Sequence, residues 1–247
     1  MLRVIFYFLF SLYFAVLTAG CSSSEKKATT PEGMLARAQE YENDDRYEEA
    51  IRRYQEVRSK FPYSPQALDA ELAVADVYYK QESYPESQTS YQTFRDLHPK
   101  HSKIAYVNFR FSMSLYMQMP ETIDRDMSLA PETILAFNDV IKKFPSSEYV
   151  KESEEKRSEL VKKMAEKEMY VGDFYFKRKT YDSALPRFEY VIKEYPGIGY
   201  DEKALIRAAY SAYKLGDPNK ARKYVSQLKE NEIKEGKTKS LLKEIKL

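Results

Sequence analysis

From about residue 33 onward, apolar and polar positions recur with a helical period, and one apolar register returns four times. Tyr47, Ala50, Tyr54 and Val57 precede Pro62. Tyr84, Ser87, Tyr91 and Phe94 precede Pro99. Ala130, Thr133, Phe137 and Val140 precede Pro145, and Tyr181, Ala184, Phe188 and Val191 precede Pro196. In every set the offsets are 0, 3, 7, 10 and 15. The first four lie on one face of an α-helix. The residue at offset 0 closes the turn from the helix before, the small one at 3 lets a neighbouring helix approach, and those at 7 and 10 fill a core. The proline ends the helix, because the residue ahead of a proline is steered out of the α region.

The helices ahead of these are marked in the same way. Ala38 with Tyr41, Ala75 with Tyr78, and Gly172 with Tyr175 keep a fixed distance to Tyr47, Tyr84 and Tyr181. A weaker fifth copy runs through Leu205, Ala208, Ala209 and Ala212, then past Gly216 to Ala221, Val225 and Leu228. The pattern predicts helices near 33–44, 47–60, 65–81, 84–96, 102–118, 131–143, 147–178, 181–193, 200–215 and 218–230, with a short tail helix over 238–246. Met119 to Ala130 breaks the period and is expected to project from one face of the array. This is the tetratricopeptide pattern. It predicts an all-α fold, a superhelix of five helix pairs, with repeats at about 33–62, 65–99, 102–145, 147–196 and 200–230 and a C-terminal tail to 247. Stacked pairs of this kind bury a continuous core and offer a long concave surface to peptides or partner domains. Recognition is therefore the expected function.

The chain ahead of the repeats reads as an address. A positive start, Met1-Leu2-Arg3, leads into the apolar run Val4 to Leu17, 14 residues long. A membrane-spanning helix needs roughly 20 such residues, so the run fits a signal segment over 1–20 better. Thr18, Ala19 and Gly20 then precede Cys21, the single cysteine. This resembles the lipobox of bacterial lipoproteins, in which the chain is cut before the cysteine and lipid is added to its thiol and its new amino group. Thr18 stands where the usual leucine would be. More than one acyl chain gives firm membrane attachment. In such lipoproteins a serine after the cysteine, here Ser22, implies the outer membrane. Residues 21–32 are polar and read as a flexible tether.

Composition narrows the function classes. Lys and Arg total 40 against 38 Asp and Glu, which argues against a nucleic-acid partner. Seven glycines among 247 residues leave little material for phosphate loops, and 22 tyrosines suit helices that pack a ring and wet a hydroxyl. The sequence has no P-loop, no dinucleotide fingerprint, no cysteine pair and no Ser/His/Asp set in a fitting context, so neither an enzyme nor a cofactor is expected. His98 and His101, the only histidines, lack a third metal ligand nearby, and His98 fills the slot held elsewhere by Phe61, Phe144 and Tyr195.

Specific phrases between the repeats carry a further resemblance. They are Phe61-Pro62-Tyr63-Ser64 followed by Val77-Tyr78-Tyr79-Lys80, His98-Pro99-Lys100-His101 running into Tyr106, Asp124-Arg125-Asp126 in the insertion, Phe144-Pro145-Ser146-Ser147-Glu148-Tyr149, and the stretch from Tyr175 to Tyr181. Together with the lipobox and five repeats, they make the chain similar to the BamD family of outer-membrane assembly lipoproteins. The resemblance covers nearly all of the chain after Cys21. It implies a lipid-anchored scaffold on the periplasmic face of the outer membrane, within the machinery that inserts β-barrel proteins. Its N-terminal repeats would engage unfolded outer-membrane β-barrel proteins. Its C-terminal repeats would dock a BamA-like barrel protein through its periplasmic POTRA domains, and accessory lipoproteins. The family's partner-contacting arginine corresponds to Arg187, whose fork suits a carboxylate.

Other expected contacts are Asp124, Arg125 and Asp126, with Arg125 pairing with a carboxylate to pin the insertion, and Tyr63 and Tyr79, which fall off the repeat register and read as candidates for an exposed groove. Two alternatives stay open within the binding class, a secretin pilotin and an envelope-constriction factor. A third, a peptidoglycan-acting lipoprotein, would need a second domain for which the repeats leave little chain.

Overall fold

The computed structural model describes residues 29–228 and residue 243. The expected signal segment, Cys21 and most of the tether and tail lie outside the described residues. Within them, all regular structure is helical: α1 (Pro31–Asn43), α2 (Tyr47–Lys60), α3 (Pro65–Lys80), α4 (Tyr84–Leu97), α5 (Ile104–Met117), α6 (Ala130–Lys143), α7 (Val150–Lys177), α8 (Tyr181–Glu194), α9 (Asp201–Lys214) and α10 (Pro218–Val225). The tetratricopeptide reading of five helix pairs holds. The first helix begins at Pro31, two residues ahead of the expected 33. Thr30 caps it, its hydroxyl accepting from the Gly33 N–H at 3.1 Å, and Pro31 fits the first turn because no partner is needed for its missing N–H. Ser64 and Asp217 cap α3 and α10 in the same manner.

Two turns alternate along the chain. Between repeats, Phe61, His98, Phe144 and Tyr195 share one backbone conformation, with φ between −132° and −127° and ψ between 50° and 55°. Each is the residue before a proline, barred from the helical region, and each still donates its N–H to the carbonyl four back. Within pairs the turn uses a left-handed residue: Asp45, Glu82, Lys179 and Gly216. The next N–H then donates to the carbonyl five back, Arg46 to Tyr41, Ser83 to Tyr78, Thr180 to Tyr175 and Asp217 to Ala212, at 2.9 to 3.0 Å. That closed loop is why Tyr41, Tyr78 and Tyr175 keep a constant spacing to the tyrosines that follow.

The repeated apolar positions form the cores. Tyr54, Val57, Tyr91, Phe94, Phe137, Val140, Phe188 and Val191 are fully or almost fully buried, as are the small residues Ala38, Ala50, Ala75, Ser87, Thr133 and Ala184. Gly172 is the tightest of the close approaches: a methyl added there would stand 2.6 Å from Cε1 of Phe188.

The contacts divide the chain between Gln118 and Met119 into two compact units. The first holds α1 to α5 and the second α6 to α10. In the second unit α7 has 28 residues and is about 42 Å long. Leu160 in its first half packs with Ala130 and Met127, while Met169 and Gly172 in its second half meet α8 through Phe188. The insertion exposes Glu121, Thr122 and Asp124 to Asp126 and is anchored at its end. Met127 is buried, and Met119, Ile134 and Met164 close around that small cluster, a use suited to flexible methionine side chains.

Candidate functional site

Arg187 projects from α8 with its side chain 47% exposed, and its Nη1 donates to Oε2 of Glu168 on α7 at 3.0 Å. One residue earlier on α7, Lys167 donates from Nζ to the Arg125 carbonyl at 2.9 Å. Adjacent residues of α7 thus hold two of the sequence-predicted features, the arginine on one side and the insertion on the other. The insertion's tie runs through that backbone carbonyl. Its carboxylates are held locally instead: Asp126 accepts from the N–H and the hydroxyl of Ser128, both at 2.9 Å, and Asp124 takes a hydrogen bond from the Thr122 side chain. These bonds to the charged form keep both carboxyls below the ordinary carboxylate value. Asp124, Arg125 and Asp126 all stand exposed.

In the first unit Tyr63 is fully exposed at the turn after α2. Tyr79 is different. It is half-buried, edge-on to Tyr84, and covered by the guanidinium of Arg110, whose carbon lies 3.6 Å from the ring centroid. The two tyrosines do not form a common exposed patch. His98 reaches Oε2 of Glu71 at 3.3 Å and packs edge-on against Phe94.

The arrangement around Tyr79 was not foreseen, and it occurs twice. In the first unit, Asp76 on α3 accepts from the hydroxyls of Tyr91 and Tyr106, the latter at 2.6 Å, beside Arg110 of α5. Burial pushes the Asp76 carboxyl above its ordinary value, while the two hydroxyls and Arg110 pull it down. In the second unit, Asp173 on α7 meets Lys203 at 2.6 Å and Arg207 at 3.4 Å, both from α9, and Arg207 lies 4.1 Å over the Phe176 ring. The spacing is the same in both. Each aspartate follows the small residue of its helix, a ring comes three residues later, and the arginine comes 34 residues later. A small residue followed by aspartate, with arginine two places before the small residue of the next repeat, is the signal that would have found it.

These features define a tetratricopeptide-repeat protein whose first helices are tied from one repeat to the next by carboxylate, ring and guanidinium. The chain belongs to the YfiO family, described as outer membrane lipoprotein, whose model matches residues 27–228. It is similar to the outer membrane protein assembly factor BamD of Rickettsia prowazekii, 32% identical over 74% of this chain and 72% of that protein. It is also similar to BamD of Neisseria meningitidis serogroup A, 29% identical over 77% of this chain and 74% of the relative. Among solved structures it is similar to the TPR2AB-domain:pHSP90-complex of yeast Sti1, with a TM-score of 0.47 and 15% identity over 80% of this chain and 78% of that one.

Proposed function

We propose that this chain is a scaffold of outer-membrane protein assembly that acts by binding and not by catalysis. Lipid on Cys21 anchors it to the outer membrane, residues 21–32 serve as the tether, and residues 33–247 carry the repeats on the periplasmic face. The N-terminal repeats take unfolded outer-membrane β-barrel proteins. The C-terminal repeats dock the periplasmic domains of a BamA-like barrel protein and accessory lipoproteins. The carrying observation is the family match, which spans the repeats from end to end at residues 27–228.

Arg187 is the proposed contact for a partner carboxylate. Its half-exposed guanidinium spends one fork on Glu168, leaving donors directed elsewhere, and a second carboxylate can be gripped by the same planar group. Asp124, Arg125, Asp126, Tyr63 and Tyr79 are secondary candidates. Tyr63 has the exposure a contact needs, whereas Tyr79 must first shed Arg110.

A detergent pull-down of the C-terminally tagged chain from its native outer membrane tests this, with Arg187→Glu beside it. The expected result is recovery of a large barrel protein with periplasmic domains, weakened in the variant because a second acid then faces Glu168 and the partner alike. Recovery of a secretin or an envelope-constriction protein, or of no barrel protein, overturns the assembly reading.

A further inference from the structure

The second unit carries an exposed patch that its own packing does not use. Tyr170 and Phe174 stand one turn apart on α7 and are 56% and 43% exposed, and with Asp173, Lys177 and Arg178 they line a shallow open cleft. Other large apolar side chains are exposed too, Tyr63, Leu97 and Leu135 among them, but Tyr170 and Phe174 are neighbours one turn apart and line a common cleft. Arg178 lies flat over Phe174, with its guanidinium carbon 3.8 Å from the centroid, which keeps that ring in place and puts a cation at the rim. Asp173, part of the cleft lining, holds Lys203 and Arg207 of α9. Lys177 and Arg178 thus line the cleft beside Asp173, while Lys203 and Arg207 are held on that same carboxylate, so cations outnumber acids around it. The matching place in the first unit has no such excess, because there Tyr106 occupies the position of Lys203.

We propose that the α7–α9 face of the second unit binds an extended acidic segment of a partner protein, a large ring or apolar side chain entering the cleft between Tyr170 and Phe174 and flanking carboxylates meeting Arg178 and Lys203. Aromatic and arginine side chains ringed by charge are the usual anchors of a protein contact. The occupant is a peptide and not a nucleic acid, because the cations cluster around one cleft and do not run along a face as phosphate tracking needs. Two rings are likewise too small an apolar face to lie in a bilayer surface. The site is separate from Arg187, which sits on α8 and is paired on another side of α7 with Glu168.

The test is fluorescence anisotropy on the full-length chain in detergent, with a labelled 12-residue peptide of two phenylalanines among aspartates and glutamates. Three comparison probes are the same peptide with Phe→Ala, the same peptide with lysines for its acids, and a single-stranded oligonucleotide of equal charge. The expected result is saturable binding of the acidic aromatic peptide alone. It should weaken with salt and fall about tenfold or more in Tyr170→Ala/Phe174→Ala and in Arg178→Glu/Lys203→Glu, with unchanged helical circular dichroism. Loss of Lys203 alone, as Lys203→Ala, serves as the milder second variant and should weaken binding less than the double reversal. No saturation, equal binding by the phenylalanine-free peptide or the oligonucleotide, or undiminished binding by folded variants overturns the proposal. The assay contains no membrane partner, so its failure leaves the assembly reading intact, and failure of the pull-down leaves this one intact.

Discussion

The two units solve one structural problem with different chemistry. Both must fix the first helix of one repeat against the first helix of the next, and both place an aspartate after the small residue of the earlier helix. In the first unit Asp76 is enclosed. Two tyrosine hydroxyls and a guanidinium surround it, and Arg110 is itself pressed onto Tyr79. In the second unit Asp173 is 19% exposed and meets a lysine and an arginine, one of its oxygens buried without a hydrogen bond, and Lys203 is half in solvent. A largely buried carboxylate that takes two hydroxyl hydrogen bonds rigidifies its surroundings, and is costly to disturb. An ion pair whose cations reach water contributes little to stability but leaves those cations facing outward. The comparison teaches that one register position can be used for cohesion in one half of the molecule and for a charged surface in the other.

The strongest way to break this contrast is to remove both carboxylates separately. Asp76→Ala strands two tyrosine hydroxyls and the Arg110 guanidinium in the interior and should cost roughly 3 kcal/mol. Asp173→Ala should cost about 1 kcal/mol or less, since its partners reach water. Urea unfolding followed by circular dichroism reads both as midpoint shifts, and equal shifts would show that the two carboxylates are alike. Next in size is the close approach beside each aspartate. Gly172→Ala drives a methyl into the Phe188 ring and should destabilise by about 1–3 kcal/mol. Its counterpart Ala75→Gly loses a fitted methyl in a helix and should cost roughly 1 kcal/mol. A harmless Gly172→Ala would mean that Phe188 can swing away.

The smallest effect is in pH. A carboxyl raised by burial binds more protons folded than unfolded just above its ordinary value, so its contribution declines as pH rises through that window. The stability advantage of the natural chain over Asp76→Asn should therefore be fullest below the ordinary carboxylate value and shrink as pH rises through the raised one towards neutral. A difference that grows with pH across about pH 4 to 7 would show that the hydroxyls and Arg110 outweigh burial.

Much of the fold was legible in the residue pattern because it is written at fixed offsets within one helix pair. Tyr54, Tyr91, Phe137 and Phe188 were placed in the core by register alone, and each is buried. The pre-proline ring and the tyrosine four residues before the left-handed residue likewise announce their backbone roles. The candidate sites were less legible, for a physical reason. Asp76 and Arg110 meet only once two repeats are stacked, so their relation cannot appear in any single period. Tyr79 looked free because it falls off the core face of its own helix, yet the next repeat's arginine lies on it. The insertion was read from its charged residues, whereas Met119 and Met127 decide how it sits.

The length of α7 has a consequence for how the second unit comes apart. A chain of independent helix pairs opens pair by pair, each local opening governed by its own interface and that of its neighbours. Here one rod serves α6 through Leu160 and α8 through Met169 and Gly172, so freeing either partner strips only half of it and leaves the other half clamped. Hydrogen exchange at the centre of α7 must therefore await an opening that releases both ends together. Its amides should be among the slowest of the unit, while those of α10, which packs chiefly on α9, exchange through a smaller excursion.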